Sequence, residues 1–144
     1  MLFFKTGDIL TSKAEALVNT VNTQGVMGKG IALQFKKAFP YNFKRYKKAC
    51  EEGEITIGKL LVTKDNNIST GEKHIINFPT KTSWRKPSQY DYIEKGLINL
   101  KEIIRDALKK ENMSIDMNDI VQHISYSETG NSSHLFLPSV VSNS

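Results

Sequence analysis

Three glycines, at positions 25, 28 and 30, crowd the run Asn22-Thr-Gln-Gly-Val-Met-Gly-Lys-Gly30. Glycine lets a backbone take positive φ and approach a ligand closely. Successive amides on such a loop converge on an anion, and a helix starting at the end of the loop adds the favourable end of its dipole. This is chemistry for a phosphate or a pyrophosphate. It is not a Walker A loop, because Gly28-Lys29 is followed by glycine rather than Ser or Thr, and it lacks the G-x-G-x-x-G spacing of a dinucleotide fold. A tight strand-to-helix connection would use the same glycines, so spacing alone leaves two readings open. Other chemistries find less support. His74, His123 and His134 are scattered without metal-ligand spacing, and no metal is expected. Cys50 is the single cysteine and has no partner for an internal disulfide.

The elements around the loop follow from periodicity. Residues 2–5 and 16–21 are short and apolar, the second partly β-branched, and predict strands. After the loop, Ile31, Phe35, Ala38 and Phe39 recur at helical spacing. Pro40 marks either a break or a first helical turn. Phe43, Tyr46, Lys47 and Cys50 continue on a second helix that ends near Gly53. Residues 60–63 and 74–78 predict strands, with turn chemistry at Asp65, Asn67 and Gly71 between them. Residues 79–87 read as a loop. A long helix then carries Ile93, Leu97, Leu100, Ile104 and Leu108 on one stripe. Residues 120–126 and 135–141 predict two more short strands, and 125–133 is polar and loop-like. Strands alternating with helices make this an α/β layered fold.

Composition sets the bounds. The chain has 144 residues, enough for one domain, with 39% hydrophobic and 24% charged residues, a balance that supports a buried core. No apolar run is long enough to cross a membrane. The start, Met1-Leu-Phe-Phe-Lys5, lacks the pattern of a signal peptide, so a cytoplasmic location is expected. The formal charge of +5 favours an anionic partner without naming one. Much of that excess lies in residues 36–48, which serve either as a solvated helix face or as a DNA-facing surface.

Several blocks, in order, carry a family resemblance. Gly7-Asp-Ile-Leu10, then Ala16-Leu-Val-Asn-Thr-Val-Asn22, then Gly25 to Ala32 resemble the opening of a macrodomain. The longer run from Asn19 to Pro40, the segment Ile76-Asn-Phe-Pro-Thr-Lys-Thr-Ser-Trp-Arg85 and residues 88–100 resemble the DarG-like antitoxin branch of that family. The resemblance covers roughly residues 1–110. It implies a three-layer α/β/α fold with a mixed sheet, and an ADP-ribose crevice at the strand ends. By resemblance, Asp8 meets the adenine amino group beside the Ile9 backbone, since a carboxylate accepts from an exocyclic amine. Asn22 reaches the distal ribose. Gly25, Val26, Met27, Gly28, Lys29, Gly30 and Ile31 hold the phosphates and distal ribose through their amides, and Thr80 joins the ligand site. Lys81 is the residue that the resemblance makes catalytic, attacking the anomeric carbon of that ribose. Such an amine must be unprotonated; burial against substrate, or the nearby Arg85 and Lys86, would favour that form. Trp84 and Arg85 become candidate DNA contacts, the indole by stacking on an unpaired base and the guanidinium by pairing with phosphate. Each residue also has a plainer reading: a turn or cap aspartate, a loop-fixing asparagine, a solvated lysine, an apolar lid.

The family pattern continues after the long helix with a strand, a second glycine-rich loop and a final helix. Here Leu135-Phe-Leu-Pro138 is followed by Ser139-Val-Val-Ser-Asn-Ser144, which contains no glycine. The sequence therefore divides into a macrodomain core at 1–110 and a divergent tail at 111–144, with the usual last strand, loop and helix expected to be lacking. The function implied is hydrolysis of the N-glycosidic link between ADP-ribose and thymine on single-stranded DNA, without metal or organic cofactor. The implied partners are ADP-ribose or ADP-ribosylated single-stranded DNA, with a functional link to a DNA ADP-ribosyltransferase toxin and no membrane. Two alternatives stand beside it: an ADP-ribose-binding module without turnover, and a defective fragment.

Overall fold

Two apolar strands anchor the molecule, and both bury side chains on each face, as central parallel strands do. A computed structural model describes residues 3–111, 120–126 and 131–137. The elements run β1 (Phe3–Lys5), a 3-10 turn (Ile9–Thr11), β2 (Ala16–Asn22), α1 (Gly30–Ala38), α2 (Pro40–Glu51), β3 (Leu61–Asn67), β4 (Gly71–Lys81), α3 (Tyr90–Glu111), β5 (Ile120–Tyr126) and β6 (Asn131–Leu137). They form one six-stranded sheet in the order β1-β6-β5-β2-β4-β3. β2 is parallel to β4 and β5, while the pairs β3–β4, β5–β6 and β1–β6 are antiparallel, so the sheet is mixed.

Side-chain alternation along β2 and β4 builds the two outer layers. On one face, Leu17 and Ile75 pack with Phe35 and Phe39 of the α1 region, and Val21 packs with Tyr46 and Ala49 of α2. On the other, Val18, Ile76 and Phe78 pack with Leu100 of α3, flanked by Ile93 and Ile104. Pro40 is the first residue of α2, where its missing N–H costs nothing and its fixed φ suits the helix. Among the described side chains of its expected stripe the long helix differs at one position, and the Leu108 side chain lies outside the described residues. Leu97 is 42% exposed, and the buried position is Gly96, whose added Cβ would lie 2.3 Å from the Phe78 ring. A glycine there lets the helix backbone sit directly on the ring.

The buried polar groups lie on the α1/α2 side. Asn42 Nδ2 donates to Asn77 Oδ1 (3.1 Å), Asn77 Nδ2 donates back to Asn42 Oδ1 (2.8 Å), and Thr63 Oγ1 donates to the same oxygen (2.6 Å). The Asn42 N–H donates to Asp65 Oδ2 at 2.8 Å. These bonds tie α2 to β3 and β4 by direction as well as by contact, as a satisfied buried network does. Lys73, 4% exposed, donates from Nζ to the carbonyls of Ser12 and Ala14 and so holds the segment entering β2.

The strands of the expected tail lie at Ile120–Tyr126 and Asn131–Leu137. The second begins inside the stretch that composition reads as loop, because each of its residues pairs with β5 from Asn131↔Tyr126 to Leu137↔Ile120. β6 then takes β1 as its other neighbour, Phe3↔Phe136 to Lys5↔His134. His123 and His134, read as scattered, are direct register partners across this strand pair. Among the described residues no helix follows α3. The glycine-free segment 138–144 lies outside the described residues.

Candidate functional site

The site is built where β2 and β4 end side by side. Register runs Val21↔Pro79 and then Asn22↔Lys81, so Thr80 is the extra residue of a bulge in β4. Bulges re-aim strand ends and recur beside functional sites. Pro79, Thr80 and Lys81 therefore belong to β4, not to the loop expected over 79–87; pairing with β2 extends the strand to Lys81. Beyond the last pair, Thr23 N–H donates to the Lys81 carbonyl (3.1 Å) and Thr23 Oγ1 donates to the Thr82 carbonyl (3.0 Å). Trp84 N–H donates to Gln24 Oε1 at 3.3 Å. Three contacts thus zip the glycine loop to the segment carrying Lys81, Trp84 and Arg85.

The loop itself is shaped from within. Gly25 has φ +82°, a conformation that other residues adopt rarely, and its Cβ position lies 3.5 Å from Lys47 Cα and Cys50 Cβ of α2. Asn22, 8% exposed, organises the turn: its Oδ1 accepts from Gln24 N (3.0 Å) and Val26 N (3.3 Å), and its Nδ2 donates to the Val26 carbonyl (2.9 Å). From α2, Tyr46 Oη lies 2.7 Å from the Asn22 carbonyl and 2.9 Å from Oδ1, donating to the pair. Burial keeps the Tyr46 phenol well above its ordinary range and pushes the neighbouring Cys50 thiol up to about 11. Met27 is 2% exposed and its side chain belongs to the core beneath the loop. The Val26, Gly28, Lys29 and Gly30 positions stay exposed above it.

α1 starts at Gly30 with Lys29 at its N-cap. Its first helical bond is Leu33 N–H to the Lys29 carbonyl at 3.2 Å, so the amides of Gly30, Ile31 and Ala32 precede the ladder. First-turn amides of this kind suit an anion. No acidic side chain sits in that first turn.

Asp8 caps the 3-10 turn, with Oδ1 accepting from Leu10 N (2.9 Å), while Ile9 is buried at 1%. Lys81 is half-buried at the strand end, and Thr80 likewise. Trp84 is 50% exposed, with the Arg85 guanidinium 4.6 Å from its ring centroid. This stacking holds the indole outward and covers one of its faces. Sequence reasoning missed Thr23, Gln24 and Tyr46. Tyr46 shares its helical stripe with Phe43 and Ala49 and so reads as core; only its hydroxyl betrays it, because a buried phenol needs a partner. Among the described residues no three metal-ligating side chains cluster, and no helix is long and apolar enough to cross a membrane.

A mixed sheet between helical layers, with a glycine loop opening from a parallel strand end, defines the macrodomain class. The macro domain model matches residues 18–125, and the chain belongs to that family. Within it, the chain is 49% identical over 133 residues to a DNA ADP-ribosyl glycohydrolase of Mycobacterium tuberculosis, covering 86% of this chain and 38% of that protein. Its structure resembles the macrodomain of Mycobacterium tuberculosis DarG, with a TM-score of 0.67 and 56% identity over 72% of this chain and 68% of the other. It also resembles Thermosipho africanus DarTG in complex with ADP-ribose, with a TM-score of 0.60 and 33% identity over 74% of this chain and 29% of the other. The chain thus spans little more than a third of the length of its curated Mycobacterium tuberculosis relative.

Proposed function

We propose that this chain binds ADP-ribose and hydrolyses the N-glycosidic bond joining it to thymine in single-stranded DNA. One observation carries the reading: Asn22 and Lys81 are register partners at one sheet end, with the Thr23 amide on the Lys81 carbonyl. The amide cup and the candidate nucleophile therefore share one rigid frame. The loop from Gly25 to Ile31, with the first turn of α1, receives the pyrophosphate through amides other than that of Val26, whose N–H Asn22 Oδ1 holds. Asp8 and Ile9 receive the adenine, with one Asp8 oxygen already occupied by Leu10 N–H. Asn22 and Thr80 lie toward the distal ribose.

The chemistry follows from the Lys81 side-chain nitrogen acting as a nucleophile. Its lone pair forms a bond to the anomeric carbon as the bond from that carbon to the thymine nitrogen breaks. Thymine leaves with the electron pair and takes up the proton that the alkylated Lys81 nitrogen gives up. Water then bonds to the anomeric carbon as the bond from that carbon to the Lys81 nitrogen breaks, the departing amine takes the water's proton, and ADP-ribose is released. Every step uses side chains and water, so no metal or organic cofactor enters. Trp84 offers its uncovered face to a base next to the modified thymine, and Arg85 a guanidinium to the DNA backbone. Residues 1–110 supply this machinery, with 111–144 as a divergent tail that contributes β5 and β6. Such a protein works in the cytoplasm against a DNA ADP-ribosyltransferase; the Thermosipho africanus relative named as a fusion of that transferase with the glycohydrolase supports the link.

The test is a time course with a single-stranded oligonucleotide carrying one ADP-ribosylated thymine, with free ADP-ribose quantified by chromatography. The parent releases ADP-ribose. Lys81→Ala loses on the order of 100-fold or more, the scale of a positioned catalytic group, while calorimetry still finds ADP-ribose binding. Equal rates for parent and variant would remove Lys81 from the mechanism. Binding without release by the parent would leave a recognition module.

A further inference from the structure

Asn22 is engaged on more sides than a ligand-binding amide needs to be. Its oxygen is contacted by the Gln24 N–H, the Val26 N–H and the Tyr46 hydroxyl at 3.0, 3.3 and 2.9 Å. An amide oxygen has two lone pairs, which the two loop N–H groups match; the Tyr46 proton, shared with the Asn22 carbonyl at 2.7 Å, adds to them, so no capacity remains to accept from a sugar hydroxyl. Its Nδ2 carries two N–H groups, one directed at the Val26 carbonyl at 2.9 Å. The second N–H is what remains for a ligand.

Two of the three donors to that oxygen come from the loop and move with it. The Tyr46 hydroxyl comes from α2, which is fixed to the sheet by the Asn42, Asn77 and Thr63 bonds. Tyr46 is fully buried, packed with Val21, Met27, Ala49 and Ile55. Its hydroxyl reaches both the backbone carbonyl and the side-chain oxygen of Asn22. Among the hydrogen bonds to the Asn22 side chain, it is therefore the one that comes from the rigid helical layer. We propose that Tyr46 is a positioning residue for the amide cup, acting through the Asn22 side chain, and that Asn22 meets a bound sugar only as a hydrogen-bond donor. This rests on the reading that the cup takes ADP-ribose. Preorganised donors bind without the entropy of ordering a loop. Tyr46 thus contributes to affinity without touching ligand.

A double-mutant cycle tests this, read by calorimetric titration with ADP-ribose and by thermal unfolding of the same samples. Tyr46→Phe keeps the ring and its packing. It should weaken ADP-ribose binding about tenfold, the scale of one net hydrogen bond. Asn22→Ala should weaken it further. The double variant should lose clearly less than the sum of the two single losses, because in Asn22→Ala the Tyr46 hydroxyl keeps only the backbone carbonyl of residue 22. Asn22→Asp keeps an oxygen for Tyr46 and for both loop amides but loses both N–H groups, the one on the Val26 carbonyl as well as the one left for a ligand. It should bind worse than Tyr46→Phe, with its hydroxyl contact retained. Independent, additive losses would overturn the proposal, as would a Tyr46→Phe protein that melts lower yet binds as the parent does. Parental affinity in Asn22→Asp would overturn the donor assignment. If the parent itself gives no heat at millimolar ADP-ribose, the ligand reading fails and takes this one with it; binding by the parent with an additive cycle fails this one alone.

Discussion

The two faces of the sheet are held by different physics. Against α3, Val18, Ile76, Phe78 and Leu100 form an apolar contact in which Gly96 rests on an aromatic ring. Against α1 and α2, apolar packing by Phe35, Phe39 and Tyr46 accompanies a polar network of Asn42, Asn77 and Thr63 and a separate Tyr46–Asn22 hydrogen bond. An apolar contact is satisfied by many orientations of similar volume, whereas a hydrogen-bonded one is satisfied by few. The glycine loop sits on the directional face. Packing on the α3 side thus stabilises the molecule, and bonding on the α1/α2 side also aims it.

The sharpest way to break that contrast is to overfill the apolar side. Gly96→Val places carbon atoms inside the Phe78 ring and should cost roughly 3 kcal/mol or more, the upper end for overpacking. The urea midpoint should fall accordingly, while ADP-ribose affinity of the folded fraction stays near that of the parent. A neutral Gly96→Val would show that α3 can move off the sheet. Next is Asn77→Ala, which leaves the Asn42 amide and the Leu61 carbonyl short of partners and should cost about 2 kcal/mol. Here affinity should fall along with stability. Ile76→Val removes one methylene from the opposite face of the same strand and should cost about 1 kcal/mol with affinity unchanged. If both substitutions on β4 changed affinity alike, the division between the two faces would be wrong.

The contrast also explains what the sequence could show. Apolar period is visible one residue at a time, so β2, both helices after the loop and the stripe of α3 are legible. The glycine loop is legible because its residue types are rare together. Leu97 misled, since a 3.6-residue period admits it to the stripe, while Gly96 carries no side chain to signal burial. Asp65 and Asn67 read as turn residues yet lie in β3, where pairing with Lys73 and Gly71 outweighs local propensity. Pro79 likewise suggested a loop, and the strand runs two residues past it because a bulge absorbs the irregularity. Tyr46 was invisible as a site residue because its partner lies 24 positions away and only folding joins them.

The smallest effect probes the directional face by pH. Burial raises both the Tyr46 phenol and the Cys50 thiol, so the folded state favours their protonated forms. An acid whose value is raised on folding contributes stability below its unfolded value and loses it as pH climbs above that value. The unfolded values are about 8.5 for a thiol and about 10 for a phenol. Stability should therefore decline from about pH 8.5, first through Cys50, and more steeply above about pH 10 through Tyr46. Urea unfolding at a series of pH values resolves the two steps. Cys50→Ala should delay the onset, and Tyr46→Phe should flatten the upper part of the curve relative to the parent. The same burial predicts that Cys50 reacts slowly with iodoacetamide near neutral pH until the chain unfolds. A Tyr46→Phe protein with the parent's alkaline slope would mean that the phenol is not sealed under the loop, and the directional face would lose its anchor.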